Sequence, residues 1–466
     1  KGLRRSSARQ TELRHLEKGH STLHSHSTWR RIGRTKIFRA SVFLGVFILL
    51  GLAVWVVFDR TPHIVRRMSS QTQNSKGQTT VTASTGKIVA TEAPQTLTAT
   101  QVLALIKQAD PGYKGAAASI QIQTFSYTML DTNGKTATVY GRVFLPADGR
   151  NMNLPVFAFA PGTTGIDDQC AASLEKPAQR NWANYPSHLA AYAAQGYAVV
   201  TTDYEGMRDS SRIHHYMVGE LEGRALLDGV RALQGLSISQ GRVDTSQVFL
   251  SGYSQGGHAA LWADRIAQQY TPELAIKGVV GFGPVSDVKR TLSDITSGAN
   301  LIWFAPYILY SYADWYGDTY DPNRYLLPPF SATLGSDIAK NCIDTNIKYW
   351  GDRDSKKVLT PQFSEALKTN TLATFAPELS KRLDANSALG YKTDSAKLIN
   401  QGKLDNVILP SQSEQARKSL CVEGNKVTAK VYPTATHYTT MNLSLVDTLS
   451  WMKSIRENRA VENSCT

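Results

Sequence analysis

From Thr100 onward, short apolar runs alternate with longer amphipathic stretches, a pattern that predicts strands alternating with helices and a mostly parallel sheet covered by helices. Residues 136–145 read as an early strand. Residues 155–160 (PVFAFA) read as a buried strand ending in Pro161-Gly162-Thr163-Thr164-Gly165, and 197–202 as another ending in Asp203-Tyr204-Glu205-Gly206. Helical periodicity occupies 187–195 and 218–234, and further strands are expected at 276–282, 396–401 and 427–432 before a helical tail over 443–455. Upstream, 17 of the 32 residues from Ser69 to Thr100 are Ser, Thr or Gln, too little apolar surface to offset the entropy of ordering. That stretch predicts a linker over 59–100, with the folded part beginning near Thr100 and running over 101–466.

Residues 41–58 (SVFLGVFILLGLAVWVVF) form an uncharged apolar run close to the ~20 residues a helix needs to cross a bilayer. Arg30, Arg31, Arg34, Lys36 and Arg39 precede it, against Arg60, Arg66 and Arg67 after it. The positive-inside bias therefore predicts one N-terminal transmembrane signal anchor, with residues 1–40 as a basic cytoplasmic tail and the rest outside the cytoplasm. No small-residue cleavage motif follows the run; were the segment cleaved, the protein would be secreted. This arrangement also accounts for the charge. The chain carries +13, but residues 1–70 hold 14 Lys+Arg and 3 Asp+Glu, which leaves +2 for the other 396 residues. Too little basic surplus remains on the folded part to track phosphates, so no nucleic-acid partner is expected.

The most informative stretch is Val248-Phe249-Leu250-Ser251-Gly252-Tyr253-Ser254-Gln255-Gly256-Gly257 followed by the helical pattern HAALWADRIA. A strand, a tight turn with Gly two before and two after a Ser, and a helix make a nucleophile elbow, in which Ser254 stands proud of the sheet. A serine needs a base, and the base a partner that fixes its tautomer. In the chain order expected on such a sheet, acid and then His follow the Ser. His258 lies one turn into the helix behind the elbow and cannot easily reach round to its own serine, which suits a packed or surface residue and leaves His437 as the base. Asp405, in the loop after the strand at 396–401, is the expected acid; Asp287 is the alternative, with a helix-cap role open to either. The oxyanion of acyl transfer needs preorganised donors. The main-chain N–H groups of Gln255 and of Thr163, in the turn after 155–160, are the expected pair.

These residues resemble a known family, the secretory lipases, over roughly residues 125–451. The likeness rests on Gly162-Thr163-Thr164, Asp203-Tyr204-Glu205-Gly206, Leu227-Asp228, the Gly252–Gly257 elbow, Gly283-Pro284, Gly402-x-x-Asp405 and His437. Pro161 stands where many relatives have His. The resemblance implies an α/β-hydrolase fold with an inserted, mainly helical cap, and a carboxylic-ester hydrolase of lipase or esterase type whose triad is Ser254, Asp405 and His437. An acyltransferase or a serine peptidase would use the same triad. The expected substrate is a small-molecule or lipid ester.

The cap is expected at about 285–395, a stretch the hydrolase sheet does not require. Ten of the 28 residues from Trp303 to Phe330 are aromatic, either lining an apolar cover over Ser254 or forming the cap's own core. Cys170, Cys342, Cys421 and Cys465 all follow the apolar run, where disulfides persist. Two bridges are expected, with three possible pairings. No Cys/His cluster has metal-ligand spacing, so neither a metal nor another cofactor is expected.

Overall fold

The computed structural model describes residues 85–465 apart from 150–152, 177–181, 210, 239–240, 318–319 and 351–353. The expected cytoplasmic tail, transmembrane anchor and most of the linker lie outside the described residues, among which no helix is long and apolar enough to cross a membrane.

Among the described residues ten strands form one sheet: β1 (Ile88–Thr91), β2 (Gln95–Leu97), β3 (Ile120–Leu130), β4 (Thr136–Pro146), β5 (Asn153–Ala160), β6 (Ala198–Thr202), β7 (Arg242–Tyr253), β8 (Ile276–Phe282), β9 (Ala396–Gly402) and β10 (Val427–Tyr432). Their order is β1-β3-β4-β6-β5-β7-β8-β9-β10, with β2 also paired to β3. Pairing is antiparallel from β1 to β6 and parallel from β6 to β10. The central strands are buried on both faces, which is why 155–160 and 197–202 read as continuous apolar runs while β4 alternates.

Helices α1 (Ala99–Ala109) and α2 (Tyr185–Ala194) cover one face; α3 (Gly219–Leu233) and α4 (Gln255–Tyr270) cover the other. The period-two alternation of β5 divides the core between them. Phe157 and Phe159 pack with Leu189 and Ile106, whereas Val156, Ala158 and Ala160 pack with Leu226 and Ala259.

Between β8 and β9, the described residues form eight α-helices: α5 (Val288–Asp294), α6 (Phe304–Tyr316), α7 (Pro322–Tyr325), α8 (Phe330–Ala339), α9 (Ile343–Trp350), α10 (Pro361–Lys368), α11 (Leu372–Phe375) and α12 (Pro377–Ala385). These helices occupy the stretch, about 285–395, where a mainly helical cap is expected. Then α13 (Pro410–Val422), α14 (Thr440–Leu443) and α15 (Leu445–Arg456) complete the chain. The cap aromatics serve the core reading: Phe304, Tyr307, Tyr312, Tyr325 and Phe330 are buried in one cluster continuous with the body. Most of these rings meet edge to face or tilted, as in Tyr325–Phe363 at 5.1 Å and Phe330–Trp350 at 4.7 Å, while Phe363 and Phe375 stack at 6.0 Å.

Folded structure starts earlier than Thr100. β1 and β2 fall inside the polar stretch 59–100, because an edge strand held by main-chain pairing to β3 needs almost no apolar surface; three of the four β1 residues are exposed. The cysteines pair as Cys170–Cys342 and Cys421–Cys465.

Candidate active site

At the carboxyl end of β7 the chain turns sharply into α4 through Ser254, whose φ of 55° and ψ of −115° place a non-glycine residue in a strained region. The turn is locked from below: Ser254 N–H donates to the Phe282 carbonyl at 3.0 Å, and Ser254 C=O accepts from Gly257 and Val285 N–H at 3.0 and 3.1 Å. A Cβ at Gly252 would overlap the Gly256 carbonyl, and one at Gly256 the Ala160 carbonyl. Both glycines are therefore demanded by the close crossing of β7, α4 and the end of β5.

The loop after β9 places Asp405, and the loop after β10 places His437 at the start of a short 3₁₀ turn. His437 Nδ1 lies 2.7 Å from Asp405 Oδ2, and both residues are buried. The other carboxylate oxygen accepts from Val407 and Ile408 N–H, each at 2.9 Å, and Gln401 Nε2 reaches Oδ2 at 3.2 Å. With Nδ1 facing a carboxylate, the neutral imidazole carries its hydrogen there and has its lone pair on Nε2. The Tyr253 ring packs against His437 at 4.8 Å between centroids. Among the described residues no hydrogen bond joins the Ser254 hydroxyl to His437. Asp287, the alternative acid, instead caps α5 by accepting from Arg290 N–H at 3.0 Å, the role open to it from sequence.

Of the two expected oxyanion donors, neither the Gln255 nor the Thr163 main-chain N–H meets a protein acceptor among the described residues. The Pro161–Thr163 turn is fixed from three sides. Gly162 N–H donates to the Tyr185 hydroxyl at 2.9 Å, Pro161 C=O accepts from the Tyr204 hydroxyl at 2.6 Å, and the Thr163 and Tyr216 hydroxyls share a hydrogen bond of 2.8 Å.

Sequence reasoning missed a buried polar group behind the elbow. Glu222 on α3 accepts from Gln255 Nε2 at 2.7 Å and lies 2.7 Å from His258 Nδ1; His258 Nε2 lies 2.7 Å from the Asn386 carbonyl just past α12. His258 is thus fully buried, one of the two roles open to it, and joins the elbow helix to the end of the cap. His214 completes the group, 2.7 Å from Gln255 Nε2, and burial pulls its imidazole down to about 4. Nothing in the local sequence around Glu222 or His214 marks them, since Gln255 and His258, which join them to the elbow, are distant along the chain.

A mixed sheet with its Ser at a strand-to-helix elbow, and an acid and a His on successive later loops, defines the α/β-hydrolase class. Among solved structures the fold is similar to a putative hydrolase of Legionella pneumophila, with a TM-score of 0.68, 18% identity and coverage of 81% of this chain and 100% of that one. It is also similar to the rice cell wall degrading esterase LipA of Xanthomonas oryzae, with a TM-score of 0.65, 20% identity and coverage of 80% and 98%. Residues 187–463 match the secretory lipase family model, and the chain belongs to that family. Lipase A of Moesziomyces aphidis is 31% identical over 205 residues, which span 41% of this chain and 40% of that protein. The chain thus matches less than half the length of that curated relative.

Proposed function

We propose that this protein hydrolyses carboxylic esters through an acyl-serine intermediate, with Ser254 as nucleophile, His437 as base and Asp405 as its orienting partner. The observation that carries the reading is the 2.7 Å contact between His437 Nδ1 and Asp405, on loops that follow the strained Ser254 elbow in chain order. In acylation, His437 Nε2 takes the Ser254 proton as Oγ bonds to the ester carbonyl carbon. The tetrahedral oxyanion is held by the Gln255 and Thr163 N–H groups. The carbon–alkoxide bond then breaks, and the imidazolium returns its proton to the leaving oxygen. Water next attacks the acyl-serine, giving its proton to His437, and the acid leaves as Ser254 Oγ is reprotonated.

The names of the relatives support an ester of the lipid class as substrate. Two disulfides favour an oxidising compartment, in keeping with a catalytic domain outside the cytoplasm. Residues 41–58, flanked by their asymmetric charges, are proposed to anchor it there.

The test is release of nitrophenol from p-nitrophenyl esters, acetate to palmitate, by the full chain and by Ser254→Ala and His437→Ala. Wild type is expected to turn over, with each variant reduced by at least ~10³-fold. A folded chain inert on every ester, or an active Ser254→Ala, would overturn the reading, and amide cleavage or acyl transfer would then be assayed. Resistance of the membrane-bound chain to carbonate extraction tests the anchor.

A further inference from the structure

The group behind the elbow is wired to both expected oxyanion donors at once. His214 Nδ1 lies 3.3 Å from the Glu205 carbonyl, an acceptor only, so that nitrogen carries the ring proton and Nε2 is a lone pair. That lone pair sits 2.7 Å from Gln255 Nε2, and Glu222 Oε1 sits 2.7 Å from the same nitrogen. An amide nitrogen has two hydrogens, and here it meets two acceptors. Turning the amide over would set its oxygen against a carboxylate and a lone pair, so the rotamer of Gln255 is fixed. Glu222 is itself held by Met217 N–H at 3.0 Å and by His258 on its other oxygen. On its far face, His214 stacks flat on Tyr204, with centroids 4.7 Å apart and planes at 13°, and the Tyr204 hydroxyl donates to Pro161 C=O at the root of the second donor. One continuous path of buried contacts therefore runs from Gln255 through His214 and Tyr204 to the Pro161–Thr163 turn.

We propose that His214 and Glu222 are positioning residues for the oxyanion hole, setting the Gln255 N–H at the start of α4 against the Thr163 N–H across the site. The inference rests on the acyl-serine reading above and deepens it. Neither residue is assigned a contact with substrate; each acts through the side chain of Gln255. Removing one oxyanion donor outright costs about 10²–10³ in turnover in comparable sites, and losing its alignment should cost part of that.

The discriminating substitution is His214→Phe, which keeps the ring on Tyr204 and removes the acceptor for Gln255. Gln255→Met is the second, retaining the main-chain N–H and side-chain length without the amide. Full-chain wild type and variants are titrated to completion with a p-nitrophenyl phosphonate, and kcat is expressed per titrated serine. Expected is a fall in kcat of about 10–100-fold with KM within about threefold, because the oxyanion contact belongs to the transition state. His214→Gln, whose carbonyl can accept from Gln255, should recover a large part. A purely structural role would lower the melting temperature or the titrated fraction and leave kcat per serine unchanged, and that result in whichever variant folds would overturn the proposal. Ser254→Ala and His437→Ala run alongside separate the two failures. If these retain activity, the acyl-serine reading falls and this inference with it; if they are dead while His214→Phe and Gln255→Met keep full turnover, only this inference falls.

Discussion

Gly283 carries the floor of the acid–base pair. Its φ is +50°, and a Cβ there would sit 3.1 Å from Asp405 Oδ2 and 3.2 Å from His437 Nδ1. Alanine at this position meets two penalties at once, left-handed backbone costing roughly 1–2 kcal/mol and a methyl pressed on the hydrogen bond that sets the tautomer of His437. Gly283→Ala is expected to keep the fold, lose a few degrees of melting temperature and drop kcat by at least ~10-fold. Steady-state kinetics beside a thermal melt check it, and unchanged kcat would show that the pair tolerates displacement. The turn at Ser254 and the loops that bring Asp405 and His437 together were legible in the sequence because each is a short local context, a turn or a loop after a strand, in a fixed chain order. Glu222, His214 and His258 were not, because their roles come from partners 33 to 128 positions away, brought together only by the packing of α3 on α4 and the return of the cap at Asn386.

At the scale of elements, the seam between α6 and the body contains a titratable bridge. His215 Nδ1 lies 2.8 Å from Glu205 and Nε2 lies 3.0 Å from Asp314 on α6, with the Trp315 ring 4.7 Å away and Arg212 on the far side of Glu205. Burial alone would lower the imidazole, but hydrogen bonds and charge from the two carboxylates outweigh it and raise the value above its ordinary 6.5. A raised folded value means that the bridge contributes fully below about pH 6.5 and is lost as pH climbs through the raised value. The urea midpoint gap between wild type and His215→Gln should therefore be widest near pH 6 and narrow towards pH 8; a gap independent of pH would mean that the bridge is uncharged. This seam was invisible in the sequence. The helical stretch between β8 and β9 is legible as one the sheet does not need, whereas whether its rings line a pocket or fill a core depends on which faces meet. The start of the folded part was misjudged for a related reason, since β1 and β2 are held by main-chain pairing that leaves no hydrophobic signature.

Over the whole molecule, two constraints act outside the site's own chemistry. Cys421–Cys465 ties α13 to the C-terminal segment, while Cys170–Cys342 ties the loop after β5 to the start of α9, where Thr164 C=O also accepts from Ile343 N–H at 2.8 Å. Replacing either pair by serines should cost about 2–5 kcal/mol of stability. Loss of Cys170–Cys342 alone should also lower kcat, because it frees the turn that bears Thr163; equal kcat in both double variants would argue against that link. The second constraint is acid lability. His188 is buried among Phe159, Tyr192 and Phe282, neither ring nitrogen has a hydrogen-bond partner among the described residues, and burial pulls its imidazole down to about 3. Unfolded, the same ring takes a proton near 6.5, so between those values the unfolded chain binds more protons and stability falls as pH falls, by ~1.4 kcal/mol per pH unit. His214, pulled down to about 4, adds a parallel slope above that point. His188→Phe suits the aromatic nest and removes one slope. Between pH 7.5 and pH 5 it should therefore gain about 2 kcal/mol on wild type, over and above any constant repacking term. Urea unfolding at the two pH values measures this directly, and a mutant-to-wild-type difference that stays the same at both would mean that the buried ring is not held neutral.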